Sequence, residues 1–217
     1  MVKSGIFITV EGIDGTGKTT QLRLLASYLR KRKYKVRVTR EPGGTRLGEQ
    51  IREILLSSRT RSLAPWAELS LLYAARAQHL DEVIRPALAQ GWLVISDRFN
   101  DASFAYQGFG RKLGWEAVHR LDDLICGTVQ PQLTLLLDAP PHSSLARALE
   151  REGNSGRSRF EEQGLTFQKR VRRGYLEIAR RYPERVKMIR ANRPIKEVQA
   201  EIRKLVDEFL AHRLRRS

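Results

Sequence analysis

Along the chain, short apolar runs alternate with longer stretches whose apolar positions recur every three or four residues. Ile6–Glu11 (IFITVE) reads as a buried strand, and Lys35–Arg40 (KVRVTR) alternates as a second. Trp92–Asp97 (WLVISD) and Leu133–Asp138 (LTLLLD) are nearly continuous apolar runs, each ending in an acid. Such runs mark strands buried on both faces of a parallel sheet, with functional residues at their carboxyl ends. Arg185–Arg190 (RVKMIR) is a fifth candidate strand. Between the strands, Lys18–Arg32 places Leu22, Leu25 and Leu29 on one helical face, and Leu47–Leu56 is a second helix. Pro65, tolerated in a first turn, opens a long helix with apolar positions Leu69, Leu72, Tyr73, Leu80 and Val83. Further helices are predicted from APPHSS to about Arg151, from about Leu165 to Arg181, and from Pro194 to about His212. Strand and helix alternate throughout, so the expected class is α/β, three-layered, with a central parallel sheet flanked by helices. No repeat or linker divides the chain, and residues 1–217 are read as a single domain.

The turn after the first strand brings in chemistry. Gly12, Ile13, Asp14, Gly15, Thr16, Gly17, Lys18 and Thr19 satisfy G-x-x-x-x-G-K-[ST] between a strand and a helix. The glycines let backbone N–H groups turn inward around phosphate oxygens, Lys18 reaches the terminal phosphates, and Thr19 offers its hydroxyl to Mg2+. A nucleoside triphosphate is the expected ligand. The loop alone does not choose among kinases, GTPases, motors and helicases. The guanine-reading N-K-x-D is absent from the sequence, and 217 residues leave no room for the second domain of a helicase or motor.

Basic groups at strand and helix ends narrow the choice. Asp97 is placed to orient Mg2+ or its water shell, and Arg98 can fork two hydrogen bonds onto a phosphate. Arg40 leaves the second strand beside EPGGT. Arg76 shares the side of its helix with Leu69, Leu72, Tyr73 and Leu80, where a guanidinium needs a partner, either a ligand or a core acid. Together these groups describe two anion sites facing each other across the carboxyl end of a sheet. Phosphoryl transfer between two nucleotides needs that positioning and charge neutralisation.

Composition adds one unusual property to an ordinary globular balance of 41% hydrophobic and 29% charged residues: a net charge of +16. The excess is concentrated late, with thirteen Lys/Arg against six Asp/Glu between Arg147 and Arg190, and it suggests an anionic partner. Lys169, Arg170, Arg172 and Arg173 are read as solvated positions. The single cysteine, Cys126, excludes an internal disulfide and a multi-cysteine metal site. With no secretory pattern and no 18-residue apolar span in the sequence, the cytoplasm is the expected location.

Four segments in order, EGIDGTGKTT, TREPGGT, YAARAQH and SDRFNDASFAYQG, resemble the thymidylate kinase family, and the resemblance runs from about Gly5 to Val198. It implies the P-loop nucleoside monophosphate kinase fold and transfer of the γ-phosphate of ATP to dTMP, with Mg2+, giving dTDP on the way to dTTP. Carried over residue by residue, it implies that Gly12–Thr19 hold ATP phosphates and that Asp14 accepts a hydrogen bond from the deoxyribose 3′-hydroxyl. Arg98 would hold the dTMP phosphate, Arg76 would reach thymine O4, Tyr106 would sit where a 2′-hydroxyl clashes, and Gln107 would lie near the base. Two positions depart from the family pattern. Leu72, with Tyr73 next to it, stands where an aromatic residue is common, and Ala102, followed by Ser103, stands where Ser is usual. Ile13, Asp14, Gly15 and Thr16 carry no base, so the chain resembles the bacterial type, whose catalytic arginine lies in a lid. The lid, at about residues 147–163, offers Arg147, Arg151, Arg157 and Arg159, of which Arg151 and Arg159 are preferred; Ser158 replaces the family's Asp. The family also implies a homodimer.

Two other readings stay open. One is a kinase for another nucleoside monophosphate or nucleoside, suggested by Leu72. The other is a nucleic-acid-associated ATPase or basic binding protein, suggested by the charge. No RNA-binding motif or basic–aromatic cluster supports the latter, so neither nucleic acid nor membrane is an expected partner.

Overall fold

The computed structural model describes residues 5–57, 63–152, 159–160 and 162–214. Five parallel strands, β1 (Ile6–Glu11), β2 (Val36–Arg40), β3 (Leu93–Asp97), β4 (Leu133–Asp138) and β5 (Val186–Arg190), form one sheet in the order β2-β3-β1-β4-β5. The expected parallel α/β sheet is therefore present. Successive residues of a strand face opposite sides, and here both sides are apolar. Phe7, Val94 and Leu136 enter one core with α3 (Pro65–His79), α6 (Trp115–Ile125) and α8 (Gly164–Arg181). Ile8, Ile95 and Leu135 enter the other, against α1 (Lys18–Lys31) and α9 (Ile195–Leu214). Leu22, Leu25 and Leu29 line α1's buried stripe as their spacing predicts.

Three local features differ from the sequence expectation. The long helix from Pro65 does not run unbroken through Val83: α3 passes into a π-helical turn at Leu80–Ile84 and then α4 (Arg85–Ala89). The segment after β3 contains α5 (Asn100–Ser103) and a second π-helical stretch, Phe104–Gly110. The apolar pattern names no element between Gly108 and Leu133, where the structure has α6. Its N-cap is Gly114 at φ 88°, with no side-chain cap to announce the helix.

The remaining helices are α2 (Arg46–Leu56), which Thr45 caps by accepting from Gly48 N, and α7 (Pro141–Glu152). Part of the late basic excess proves structural rather than solvated. Arg172 pairs with Asp138 through two hydrogen bonds, of 2.7 and 2.8 Å, and Arg170 donates to Gly110 O. The strand order switches sides at β1, whose neighbours β3 and β4 lie on either side. A crevice opens at the carboxyl ends of such strands.

Candidate active site

β1 delivers the glycine loop into that crevice. Gly12, Gly15 and Gly17 all adopt positive φ, which wraps the backbone around the space in front of α1. Gly15 also permits a close approach, since a Cβ there would lie 1.9 Å from Ser144 O of α7. Lys18 folds back to donate to Ile13 O at 2.9 Å and lies 3.8 Å from Asp14 Oδ1. Burial, and then the charge of Arg98, push the Lys18 ammonium down from 10.5 to about 8. Thr19 Oγ1 donates to Asp97 Oδ2 at 2.8 Å, bringing the two expected Mg2+ contacts together. Both are hard oxygen ligands suited to that ion. No cluster of three His, Cys, Asp or Glu occurs among the described residues, so further ligands would come from nucleotide oxygens and water.

A cavity of 390 Å³ runs along this loop, and a second, of 140 Å³, lies beside it. Asp14, Glu41, Arg52 and Arg98 line both and form the wall between them. The smaller cavity is floored by Leu72, Arg76, Phe99 and Ser103, with Tyr106 and Gln107 at its side. Leu72 faces this space, whereas the neighbouring Tyr73 lines neither cavity and bonds to Asp122 in the core. Arg40 lines the larger cavity, not the smaller, and pairs with Glu49 at 2.7 Å.

Arg76 meets the core-acid alternative left open by its apolar surroundings. Its Nε donates to Glu41 Oε2 at 2.7 Å, and Nη2 donates to Phe99 O and Ser103 Oγ. Its Nη1, also buried, has no hydrogen-bond partner among the described residues. A buried unpaired donor in a cavity wall is costly unless a ligand supplies the acceptor. Glu41 is in turn shared with His79, whose other ring nitrogen meets Thr39 Oγ1. Burial opposes the Glu41 charge, but Arg76 and His79 outweigh it and hold the carboxyl below its usual range.

Arg98 has φ 71°, an uncommon backbone conformation for a non-glycine residue, and every Nη hydrogen has a partner. Nη1 donates to Gly12 O and Tyr175 OH, both at 2.9 Å. Nη2 donates to Asp14 Oδ1 at 2.6 Å and Tyr106 OH at 3.0 Å. Each tyrosine hydroxyl in turn donates to an acid: Tyr106 to Asp14 Oδ2, and Tyr175 to Glu11 Oε2. Burial would raise Asp14, yet Arg98, Lys18 and the Tyr106 hydroxyl hold it below the ordinary carboxylate range. Glu11, with 0% exposure, is pushed from 4.5 up to about 8, first by burial and then by Asp101.

The arginines of the expected lid segment divide. Arg159 is 4% exposed, donating to Leu55 O and, at 2.6 Å, to Glu68 Oε2. Arg111 and Gln107 bond the same carboxylate. Arg159 is thus tied to α3 and α2, and the structure does not bring it to the glycine loop. The side chain of Arg151, and Arg157, lie outside the described residues. Arg147 is exposed on α7, beside the Ser144–Ala148 turn that meets Gly15.

Sequence reasoning missed Arg52, Glu41, Glu68, Tyr175 and Glu11. Glu41 and Glu11 carried a usable signal: Glu41 lies in TREPGGT, and Glu11 ends the apolar run of β1, as acids end β3 and β4. That signal was not sufficient in itself, since Asp138, ending β4, binds Arg172 and lines neither cavity.

Comparison with known proteins agrees with this geometry. The family profile described as thymidylate kinase matches residues 10–202. A thymidylate kinase of Methylococcus capsulatus is 50% identical over 207 residues, covering 95% of this chain and 97% of its own. One from Desulfovibrio desulfuricans is 45% identical over 212 residues, covering 96% and 98%. The crystal structure of thymidylate kinase from Ehrlichia chaffeensis superposes with a TM-score of 0.77 at 34% identity, covering 94% of this chain and 99% of that one. The chain belongs to the thymidylate kinase family.

Proposed function

We propose that the chain transfers the γ-phosphoryl group of ATP to the phosphate of dTMP, with ATP along the Gly12–Thr19 loop and dTMP in the smaller cavity. The observation that carries this reading is the common wall: Asp14, Arg52 and Arg98 line both spaces, so donor and acceptor phosphates would meet across them. Phosphoryl transfer asks mainly for positioning and charge neutralisation, and an acceptor phosphate is already an anionic nucleophile. Lys18 and the loop N–H groups hold the donor phosphates, and Arg98 and Arg52 hold the acceptor phosphate. Asp14 accepts from the 3′-hydroxyl, and Arg76 Nη1 donates to thymine O4, with Gln107 beside the base. Tyr106 narrows the space at the 2′ position. Thr19 and Asp97 would hold Mg2+, which when bound would neutralise phosphate charge. Arg147, exposed next to the loop, is the described lid arginine best placed for the transferring group, and Arg151 follows one turn later in α7.

Turnover on dTMP, dUMP, dCMP, dGMP and UMP with ATP and Mg2+ tests the assignment. The expected result is a marked preference for dTMP; preference for another acceptor would replace it, Leu72 being the wall residue to suspect.

The chain works in the cytoplasm as a homodimer in this reading. Leu47 and Ile54, seven residues apart on α2, and Trp66 at the start of α3 supply exposed apolar area for such an interface. No described helix is long and apolar enough to cross a membrane.

A further inference from the structure

The two tyrosine–carboxylate pairs on Arg98 are not equivalent. Tyr106 and Asp14 line the smaller cavity, so an incoming phosphate or sugar can exchange with them. Tyr175 and Glu11 line neither cavity and are 2% and 0% exposed. Arg98 Nη1 has both hydrogens committed to that inner side, to Gly12 O and Tyr175 OH. Its Nε–H bonds to no described residue, and Nη2 faces Asp14 and Tyr106. The guanidinium is therefore fixed on its inner side by groups away from both cavities, and on the other side carries an Nε–H without a described partner and an Nη2 whose partners both line the smaller cavity.

We propose that Tyr175 and Glu11 are positioning residues that clamp Arg98 Nη1, so that the Nε/Nη2 edge meets the acceptor phosphate as a preset fork. Glu11 Oε2 accepts a hydrogen bond from the Tyr175 hydroxyl at 2.7 Å, which leaves the tyrosine lone pairs directed toward Arg98. The same carboxylate accepts from Phe99 N at 2.7 Å, fixing the backbone that follows Arg98. The positive φ of Arg98 makes such restraint necessary, because a non-glycine residue there persists only when its surroundings hold it. Tyr175 belongs to α8, so the helix following the lid takes part in setting the acceptor site, although it lines neither cavity itself.

The inference rests on the functional reading above, and the test separates the two. Steady-state kinetics of Tyr175→Phe, which keeps the ring, are compared with wild type on whichever nucleoside monophosphate the wild type turns over fastest. The expected result is a rise of about tenfold in the acceptor KM, the size of a lost hydrogen bond to a charged group, with the ATP KM within about twofold. Glu11→Gln conserves volume and is expected to give a smaller rise confined to the same KM. An unchanged acceptor KM in both variants, or equal rises in the two KM values, overturns the clamp. Should Tyr175→Phe fail to fold, Glu11→Gln alone decides by the same criterion. If the wild type prefers an acceptor other than dTMP, the functional reading falls while the clamp is still decided by these KM values.

Discussion

Arg76 brings a full charge into the core at 2% exposure, where it is tolerated because Glu41, Phe99 O and Ser103 surround it. The chain Thr39–His79–Glu41–Arg76 runs from the edge strand β2 to the base cavity, so Glu41, which lines the cavity and orients Arg76, is itself held by Thr39 and His79, which line neither cavity. Lys18 presents the opposite problem, a charge that must stay available. With its ammonium lowered to about 8 by burial and by Arg98, the free enzyme loses that charge as pH rises through about 8. Bound triphosphate favours the charged form, so ATP binding above that pH takes up a proton. ATP affinity is expected to hold steady from pH 6 to 7 and to fall by nearly tenfold per pH unit above about 8. Calorimetric titration with ATP across that range checks it; a flat profile to pH 9.5 would show that Lys18 keeps its charge. Lys18, Thr19 and Asp97 were legible in the sequence because their chemistry is local to one loop and one strand end. Arg98's clamp was not legible, since Glu11 and Tyr175 are 164 positions apart and only the folded packing pairs them.

Among the elements, the sheet and its long flanking helices could be read directly, because strands buried on both faces and helices with one apolar stripe leave strong periodic signals. The π-helical turns at Leu80–Ile84 and Phe104–Gly110 leave no such signal. The first is followed by Pro86, which has no N–H to offer Glu82 O in an α-helical ladder, and the second carries Tyr106 and Gln107 into the acceptor cavity. The segment after α7 was legible as arginine-rich, but not which arginine would be structural. Arg159 shares Glu68 with Arg111 and Gln107, joining three parts of the chain at one buried carboxylate. Arg159→Gln is expected to cost about 1–3 kcal/mol of stability, the range for a lost buried hydrogen bond of a charged group. Its kcat is expected to stay within about threefold of wild type, far short of the 10³-fold or greater loss from removing an arginine on the transferring phosphoryl group. Thermal melts and steady-state rates together distinguish these roles, and a loss of about 10³ in kcat at unchanged melting temperature would return Arg159 to the catalytic centre.

For the molecule as a whole, Leu47, Ile54 and Trp66 are exposed on α2 and α3 and are the positions that test the proposed homodimer. Sedimentation of wild type as a dimer, and of Ile54→Glu or Trp66→Glu as a monomer at the same concentration, is the expected outcome; a monomeric wild type would remove the interface. The charge of +16 acts at the same scale, and its late concentration is partly taken up by pairs with Asp101, Asp138 and Glu177. Some of the remainder lies at the two margins of the sheet. Edge strand β2 carries Arg37, and edge strand β5 carries Lys187 and Arg190, none of which lines either cavity. An open edge offers unpaired backbone groups that a second chain can extend, and a row of like charges makes that approach unfavourable. Basic residues with no part in nucleotide chemistry thus oppose fibre-like stacking and keep the sheet at five strands when many copies crowd together.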